Sequence, residues 1–141
     1  LLQALSIKWW LLLILLSGIL LHELIHGIFM AIFAKNGWRS ISFGFNTHAF
    51  APYTHCNEPL TPVDYRISLI MPALLLGEIP VLVGWITGNI LFLIYGVLFV
   101  WVSAGDVAVF LMSRKIKDGM LQDHPDKIGF IHVHEANSVN H

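Results

Sequence analysis

Residues 9–34 read WWLLLILLSGILLHELIHGIFMAIFA, an apolar run whose second half holds His22, Glu23 and His26. A membrane-spanning helix needs about 20 predominantly apolar residues, so this stretch predicts one such helix. A cleaved signal peptide is a poor interpretation, because the apolar run is too long and contains charged residues near its end. The stretch therefore predicts a transmembrane helix that carries ionisable side chains.

The composition of the whole chain is that of a membrane protein. Of 141 residues, 56% are hydrophobic and only 12% charged, with a mean hydropathy of +0.70, whereas a soluble domain carries about 25% charged residues. The net charge of −1 leaves no electrostatic footprint for a nucleic acid. Cys56 is the only cysteine, which excludes an internal disulfide and a cysteine-based zinc site. The chain begins with Leu1 rather than Met, as expected of a fragment that lacks an N-terminal piece.

Two further apolar segments, 67–85 and 90–112, are long enough to cross a bilayer. The link between them, 86–89, is so short that the two helices must be antiparallel neighbours. We therefore predict a mainly α-helical integral membrane protein, with residues 1–141 forming a single domain of three transmembrane helices around a zincin-like core.

The polar segments are the loop 35–66 and the tail 113–141. Within the loop, residues 41–50 alternate and are rich in aromatic side chains, which predicts a strand or a β-hairpin. In the tail, residues 128–134 form another candidate strand. We expect these segments to make a small β-hairpin or short sheet on the cytoplasmic side.

Basic residues predict the orientation in the membrane, because they are enriched in cytoplasmic loops. The loop and the tail contain seven of the eight lysines and arginines, and the link 86–89 contains none. We therefore expect the loop 35–66 and the tail in the cytoplasm and the N-terminus outside, in what we take to be a bacterial cytoplasmic membrane.

His22, Glu23 and His26 form an H-E-x-x-H motif. Residues four apart lie on one face of a helix, so both imidazoles can bind one Zn²⁺ ion, and Glu23 can take a proton from the water that the metal activates. Ionisable groups inside a membrane helix cost roughly 2.5–3.5 kcal/mol for a central charge and are seldom carried without function. The alternative is that the two histidines only form hydrogen bonds within a helix bundle.

A catalytic zinc ion has three protein ligands and one open position, and Asp106 is the candidate third ligand. Asp106 lies about 10 Å before the end of its helix near Ser113, and His26 about 12 Å before Ala34, so their depths match. Gly105 beside Asp106 is expected to allow close approach of the two helices. Alternatively, Asp106 faces a wet cavity or pairs with a basic group.

Glu78, between Pro72 and Pro80, is the other acid within an apolar segment. Four roles stay open: a metal ligand, a partner of a zinc-bound histidine, a proton-access residue, or a carboxyl group that snorkels or stays protonated. We consider the ligand role the weakest of these.

The remaining histidines carry weaker signals. His48 and His55 lie in the loop near the expected site and are candidates for stabilising a tetrahedral intermediate or for other substrate-side roles. His124 lies in a sequence typical of a turn, while His132 and His134 share one face of a candidate strand. For each of them, a solvated or structural role is the favoured interpretation.

The chain resembles bacterial membrane proteins grouped as putative zincin peptidases, a family of unknown function. The resemblance rests on residues 22–27 (H-E-L-I-H-G), residues 53–59, Arg66 with Pro72, Gly105-Asp106, and Asp-His-Pro at residues 123–125. More remotely it is similar to the site-2 protease class, although that class typically places its aspartate before a glycine. The resemblance implies zinc on His22, His26 and Asp106, with Glu23 as the base.

The leading hypothesis is therefore an intramembrane zinc metalloendopeptidase with one Zn²⁺ ion, in which Glu23 is the general base. The expected partners are the lipid bilayer and a transmembrane or juxtamembrane protein substrate, held by strand addition at residues 41–50. The alternative is a non-catalytic zinc-binding membrane adaptor; a metal transporter is a weaker third hypothesis.

Overall fold

The computed structural model describes residues 2–47, 50–124 and 129–133, with side chains described from Trp9 onward. Most of this part is helical. The helices are α1 (Leu2–Phe33), α2 (Pro62–Pro72), α3 (Ile79–Thr87), α4 (Ile90–Val102) and α5 (Ala104–Ser113), with a 3-10 turn at Gly37–Ser40 and a π-helical turn at Ala73–Glu78. The strands are β1 (Ile41–Asn46), β2 (Ala51–Cys56), β3 (Met120–Asp123) and β4 (Phe130–Val133).

The second predicted helix begins at Pro62, five residues earlier than the predicted boundary at residue 67. The Thr61 hydroxyl accepts a hydrogen bond from the backbone N–H of Asp64 at 3.2 Å, and proline suits the first turn of a helix. The helix continues through the π-helical turn into α3 and ends at Gly88, whose φ of 68° suits glycine.

The third predicted helix, 90–112, is divided at Ser103 into α4 and α5, which meet at a bend of 48°. The buried Ser103 hydroxyl donates to the carbonyl oxygen of Phe99 at 2.9 Å, and such a bond back to the preceding turn often bends a helix. The bend places Asp106 in the first turn of α5.

Glycines allow close contact between α3 and α4. A Cβ atom on Gly84 would lie 2.6 Å from the backbone N of Leu93, and one on Gly96 would lie 2.6 Å from the backbone N of Val81. Since residue 84 meets 93 and residue 81 meets 96, the two helices run antiparallel, as the short link predicts. Gly105 is different: a Cβ atom there would meet nothing within 4 Å. The expectation that Gly105 allows close helix approach is therefore wrong, because it lies exposed after the bend.

The strands form two antiparallel hairpins. β1 lies within the predicted segment 41–50 and pairs with β2 from Ile41↔Cys56 to Asn46↔Ala51, so the hairpin extends beyond the predicted segment by the whole of β2. β4 lies within the predicted strand 128–134 and pairs with β3. The backbones of Leu60 and Leu121 exchange two hydrogen bonds of 2.7 and 2.8 Å, so the loop after α1 and the chain after α5 lie against each other.

Much of the helical surface is apolar and exposed. Two helices of the described chain, Trp9–Phe33 and Pro62–Thr87, are long and apolar enough to cross a membrane, and the bent pair α4–α5 is a third if it counts as one span. Only 28% and 39% of the most apolar windows of the first two are buried. The helices thus keep broad apolar faces uncovered by the rest of the described chain.

Candidate metal centre

Three predicted ligands meet in the interior between α1 and α5. His22 and His26 are only 4% and 5% exposed, and their ring centroids lie 4.9 Å apart on successive turns of α1. His22 Nε2 lies 3.0 Å from Asp106 Oδ2, and His26 Nε2 lies 3.3 Å from Asp106 Oδ1. One donor atom from each side chain lies within 4.8 Å of the others, a spacing that suits a single metal ion.

The hydrogen bond of the His26 ring leaves its other nitrogen free to bind a metal ion. His26 Nδ1 lies 2.9 Å from the carbonyl oxygen of Ser68, which can only accept, so Nδ1 carries the proton. In the neutral ring, the Nε2 lone pair then faces the Asp106 carboxylate, and two acceptors at this distance repel unless a proton or cation lies between them. A backbone carbonyl behind a metal-bound histidine is a common arrangement, and two imidazoles with one carboxylate form a known zinc ligand set.

His22 differs from His26 in its second ring nitrogen. Its Nδ1 is buried and has no hydrogen-bond partner within residues 2–47, 50–124 and 129–133. A buried polar atom without a partner costs roughly 1–3 kcal/mol. The orientation of the His22 ring thus directs Nε2 at the cluster and leaves Nδ1 unpaired. This is consistent with a side chain that is oriented for metal binding at some cost in stability.

Arg66 fixes the far end of the helix that carries Asp106. Its guanidinium donates to the Ser113 hydroxyl at 3.3 Å and to the carbonyl oxygens of Ser113 and Ile116. A cation at a helix C-terminus also interacts favourably with the helix dipole. Arg66 therefore attaches α5 to α2, the helix that contributes Ser68 to the same centre.

Glu23 is half-buried and faces a cavity of about 500 Å³. The cavity is bounded on the helical side by Glu23, His26 and Asp106. The hairpins supply the opposite wall, which includes Tyr53, Thr54, His55, Asp123 and His124. The Thr54 hydroxyl donates to the backbone carbonyl of Glu23 at 2.7 Å and thereby attaches β2 to α1 beside the motif.

Asp123 is a cavity residue that sequence reasoning missed. Its carboxylate accepts hydrogen bonds from the Tyr65 hydroxyl at 2.8 Å and from the backbone N–H of Cys56 at 3.0 Å. Burial raises the pKa of Asp123, although these hydrogen bonds and the nearby His55 oppose the shift. Its only sequence signal was its position in an Asp-His-Pro turn, which says nothing about partners 58 and 67 residues away.

The other predicted residues are distributed as follows. His55 and His124 line the cavity, whereas Glu78 lies exposed at the end of the π-helical turn and outside that lining. His132 Nε2 donates to the carbonyl oxygen of Asp118 at 2.8 Å. His48 and His134 lie outside the described residues.

Comparison with known proteins agrees with the resemblance seen in the motifs. A family model described as "Putative zincin peptidase" matches residues 15–121, well over half of the chain, and this range includes the three clustered residues and Glu23. No curated protein and no solved structure matches the chain. The chain belongs to the putative zincin peptidase family.

Proposed function

We propose that this member of the putative zincin peptidase family is a zinc-dependent endopeptidase that cuts membrane-associated proteins within or beside the bilayer. One observation carries the proposal. His22, His26 and Asp106 present three donor atoms within 4.8 Å of one another, and Glu23 faces the cavity that His26 and Asp106 also line. This combination is the donor set and the base that metal-assisted peptide hydrolysis requires.

Integral membrane insertion is the second part of the proposal. It is supported by two apolar helices of spanning length, a third bent pair, and the small buried share of the first two. The contact between Leu60 and Leu121 supports placing the loop 35–66 and the tail on one side. We assign that side to the cytoplasm from its excess of lysine and arginine, with the N-terminus outside.

Each residue of the centre has a distinct task. A zinc ion bound by His22, His26 and Asp106 would polarise the scissile carbonyl and acidify a water molecule. Glu23 takes the proton of the attacking water and delivers it to the leaving amine. Ser68 holds His26 through Nδ1 and keeps its Nε2 directed at the centre. Arg66 holds α5, and so Asp106, in register with α1.

The hairpin β1–β2 is the proposed substrate-binding element. Phe45, Tyr53 and His55 of this hairpin line the cavity that Glu23 faces. In the described chain β1 pairs only with β2, so its other edge is available to an extended substrate backbone by strand addition. We assign to His55, which lines this cavity, the donation of a hydrogen bond to the oxyanion that would form from the scissile carbonyl.

The test separates metal binding from turnover. We expect the purified chain to contain one zinc ion and to cleave transmembrane segments reconstituted with it in vesicles. Glu23→Gln should keep the zinc and lose at least about 100-fold in cleavage rate, since general acid–base catalysis contributes roughly 10²–10⁴-fold. Full activity of Glu23→Gln would overturn the mechanism.

A matched control is Glu58→Gln, which removes the same charge from the loop. Glu58 accepts hydrogen bonds from the side chain and the backbone N–H of Asn36 and is absent from the cavity lining. We expect this variant to cleave at the wild-type rate. Zinc binding without any cleavage, in wild type and control alike, would instead support the non-catalytic adaptor.

A further inference from the structure

Glu78 is an exposed carboxylate in the middle of an apolar helix face. It ends the π-helical turn Ala73–Glu78, and π-helical turns often mark functional positions. Its neighbours on the outward face are Leu75, Ile79 and Leu82, which are 40%, 49% and 52% exposed. The opposite side of the turn is buried, with Gly77 against Val100 of α4. Glu78 therefore points away from the protein core and from the metal centre.

Glu78 also lacks the partner or cavity that the other charged side chains of these helices have. Asp106 pairs with two histidines, Arg66 holds the end of α5, and Asp64 accepts from the Thr61 hydroxyl. Glu23 faces the cavity. Among the described residues, none forms a hydrogen bond or an ion pair with Glu78.

With the helix Pro62–Thr87 inserted in the membrane as proposed, the position of Glu78 along it would keep the carboxylate from water. It lies nine residues before Thr87, about 13 Å from the nearer end of the candidate span, and farther from the end at Pro62. Side chains on a helix lean towards its N-terminus, which for Glu78 is the direction away from the nearer end. Snorkelling to the closer interface is therefore disfavoured.

We propose that Glu78 is the docking point for a membrane-spanning helix of another protein that carries a lysine or arginine within its span. The proposal rests on the membrane insertion proposed above. A carboxylate on an apolar face selects a partner that supplies a cation at the same depth. The surrounding leucine and isoleucine side chains supply packing for the rest of that helix.

The apolar segments of this sequence do not supply the cation. Its lysines and arginines are residues 8, 35, 39, 66, 114, 115, 117 and 127, all outside the apolar segments 9–34, 67–85 and 90–112. Arg66 comes closest in sequence, but it lies twelve residues before Glu78 and is engaged with the end of α5. The partner that we propose is therefore a helix that lies outside the given sequence, in a different transmembrane protein.

The proposal is tested by peptide association in vesicles. The full chain is reconstituted in phosphatidylcholine vesicles with a leucine-rich transmembrane peptide of about 20 residues, which carries one lysine at the depth of Glu78 or leucine throughout. Energy transfer between labelled protein and peptide reports binding. We expect the lysine peptide to bind at least about fivefold more tightly, the scale of polar contacts between membrane helices.

Variants identify the carboxylate as the cause. Glu78→Gln should bind the lysine peptide no better than the leucine peptide, whereas Asp64→Asn, the same change at the end of the helix, should bind it like wild type. A thermal unfolding transition equal to that of wild type shows that Glu78→Gln is folded. Equal binding of the two peptides by wild type would overturn the proposal, as would tight lysine-peptide binding by Glu78→Gln.

The outcome is separable from that of the proposed peptidase. Association is measured without turnover, so an inactive chain still tests the docking point. Glu78→Gln should retain the wild-type rate on a short soluble peptide, because Glu78 lies outside the cavity. A chain that is extracted from vesicles by alkaline carbonate would overturn the membrane insertion and the docking point together.

Discussion

The region around the candidate metal centre and the α3–α4 hairpin are both built from apolar sequence, yet they hold their helices together differently. Around the candidate centre, polar contacts add to apolar packing between the helices: His22 and His26 with Asp106, and Arg66 with the end of α5. Between α3 and α4, glycines bring backbone against backbone. Close packing through small residues and polar contacts between side chains are both known to hold apolar helices together.

The two regions also differ in the space that they leave for a ligand. Close packing through glycine leaves no space for a ligand between the α3 and α4 backbones. The polar region contains a cavity of about 500 Å³ and a buried nitrogen on His22 that has no hydrogen-bond partner among the described residues. An unpaired buried nitrogen lowers the stability of the fold, and this one belongs to a side chain of the candidate metal cluster.

The largest expected effect concerns the metal ligands. Replacing His22, His26 or Asp106 with alanine should weaken zinc binding by at least about 100-fold, since losing even an outer partner of a ligand costs roughly 10–100-fold. Competition with a chelating dye measures this affinity. His55→Ala, in the same cavity but outside the cluster, should change it only a few-fold. An equally large loss of zinc affinity in His55→Ala would contradict the assignment of His22, His26 and Asp106 as the ligands.

A smaller effect tests the glycine contacts. Gly96→Ala should lower the free energy of unfolding by about 1–3 kcal/mol, because its Cβ would lie 2.6 Å from Gly77 O and from Val81 N. Gly105→Ala should be neutral or stabilise by up to about 1 kcal/mol, since its Cβ would meet nothing within 4 Å. Thermal unfolding in detergent compares them, and equal transition temperatures would show that the α3–α4 contact is not tight.

The smallest effect is a pH dependence at the cavity wall. Burial raises the pKa of Asp123 in the folded chain above its unfolded value of about 3.9, so the folded state holds the proton more tightly. Its stabilising contribution is then complete below about pH 4 and is lost as pH rises through the folded pKa. The transition temperature of wild type minus that of Asp123→Asn should therefore fall with rising pH.

The exposed Asp118→Asn serves as the control for this experiment. The transition temperature of wild type minus that of Asp118→Asn should not show the fall with rising pH that is expected for Asp123→Asn. The transition temperature of wild type minus that of Asp123→Asn is compared between about pH 4 and pH 7. If this difference stays constant or rises with pH, burial of the Asp123 carboxyl does not favour its protonated form.

Much of the candidate site was accessible from the sequence because its signals are local. The spacing of His22 and His26 follows from helix geometry, and the depth of Asp106 follows from counting residues to the end of an apolar segment. Strand β1 was indicated by alternation over residues 41–50, whereas β2 lies beyond that segment. Asp123 and strand β3 were not predicted, because their partners Tyr65, Cys56 and Leu60 are far away in sequence.

The bend at Ser103 and the exposure of Gly105 show the same limit. A serine or a glycine in an apolar segment is compatible with a straight helix, with a bend or with a close contact. The buried hydroxyl bond to Phe99 favours the bend here, and the bend leaves Gly105 exposed. Residue types alone do not distinguish these cases, since the choice depends on which helices pack nearby.

The length of apolar runs and the spacing within single segments sufficed for the apolar segments, the H-E-x-x-H motif and the short antiparallel link, because each depends on residues close in the chain. Asp106 was named as a candidate ligand by counting residues within its own segment, which does not determine its contacts. The tertiary structure decided which groups meet: the Asp106 carboxylate between two histidines, the Asp123 wall of the cavity, the clamp by Arg66 and the outward direction of Glu78. These contacts depend on the angles and registers between elements, which arise only when the helices and hairpins pack together.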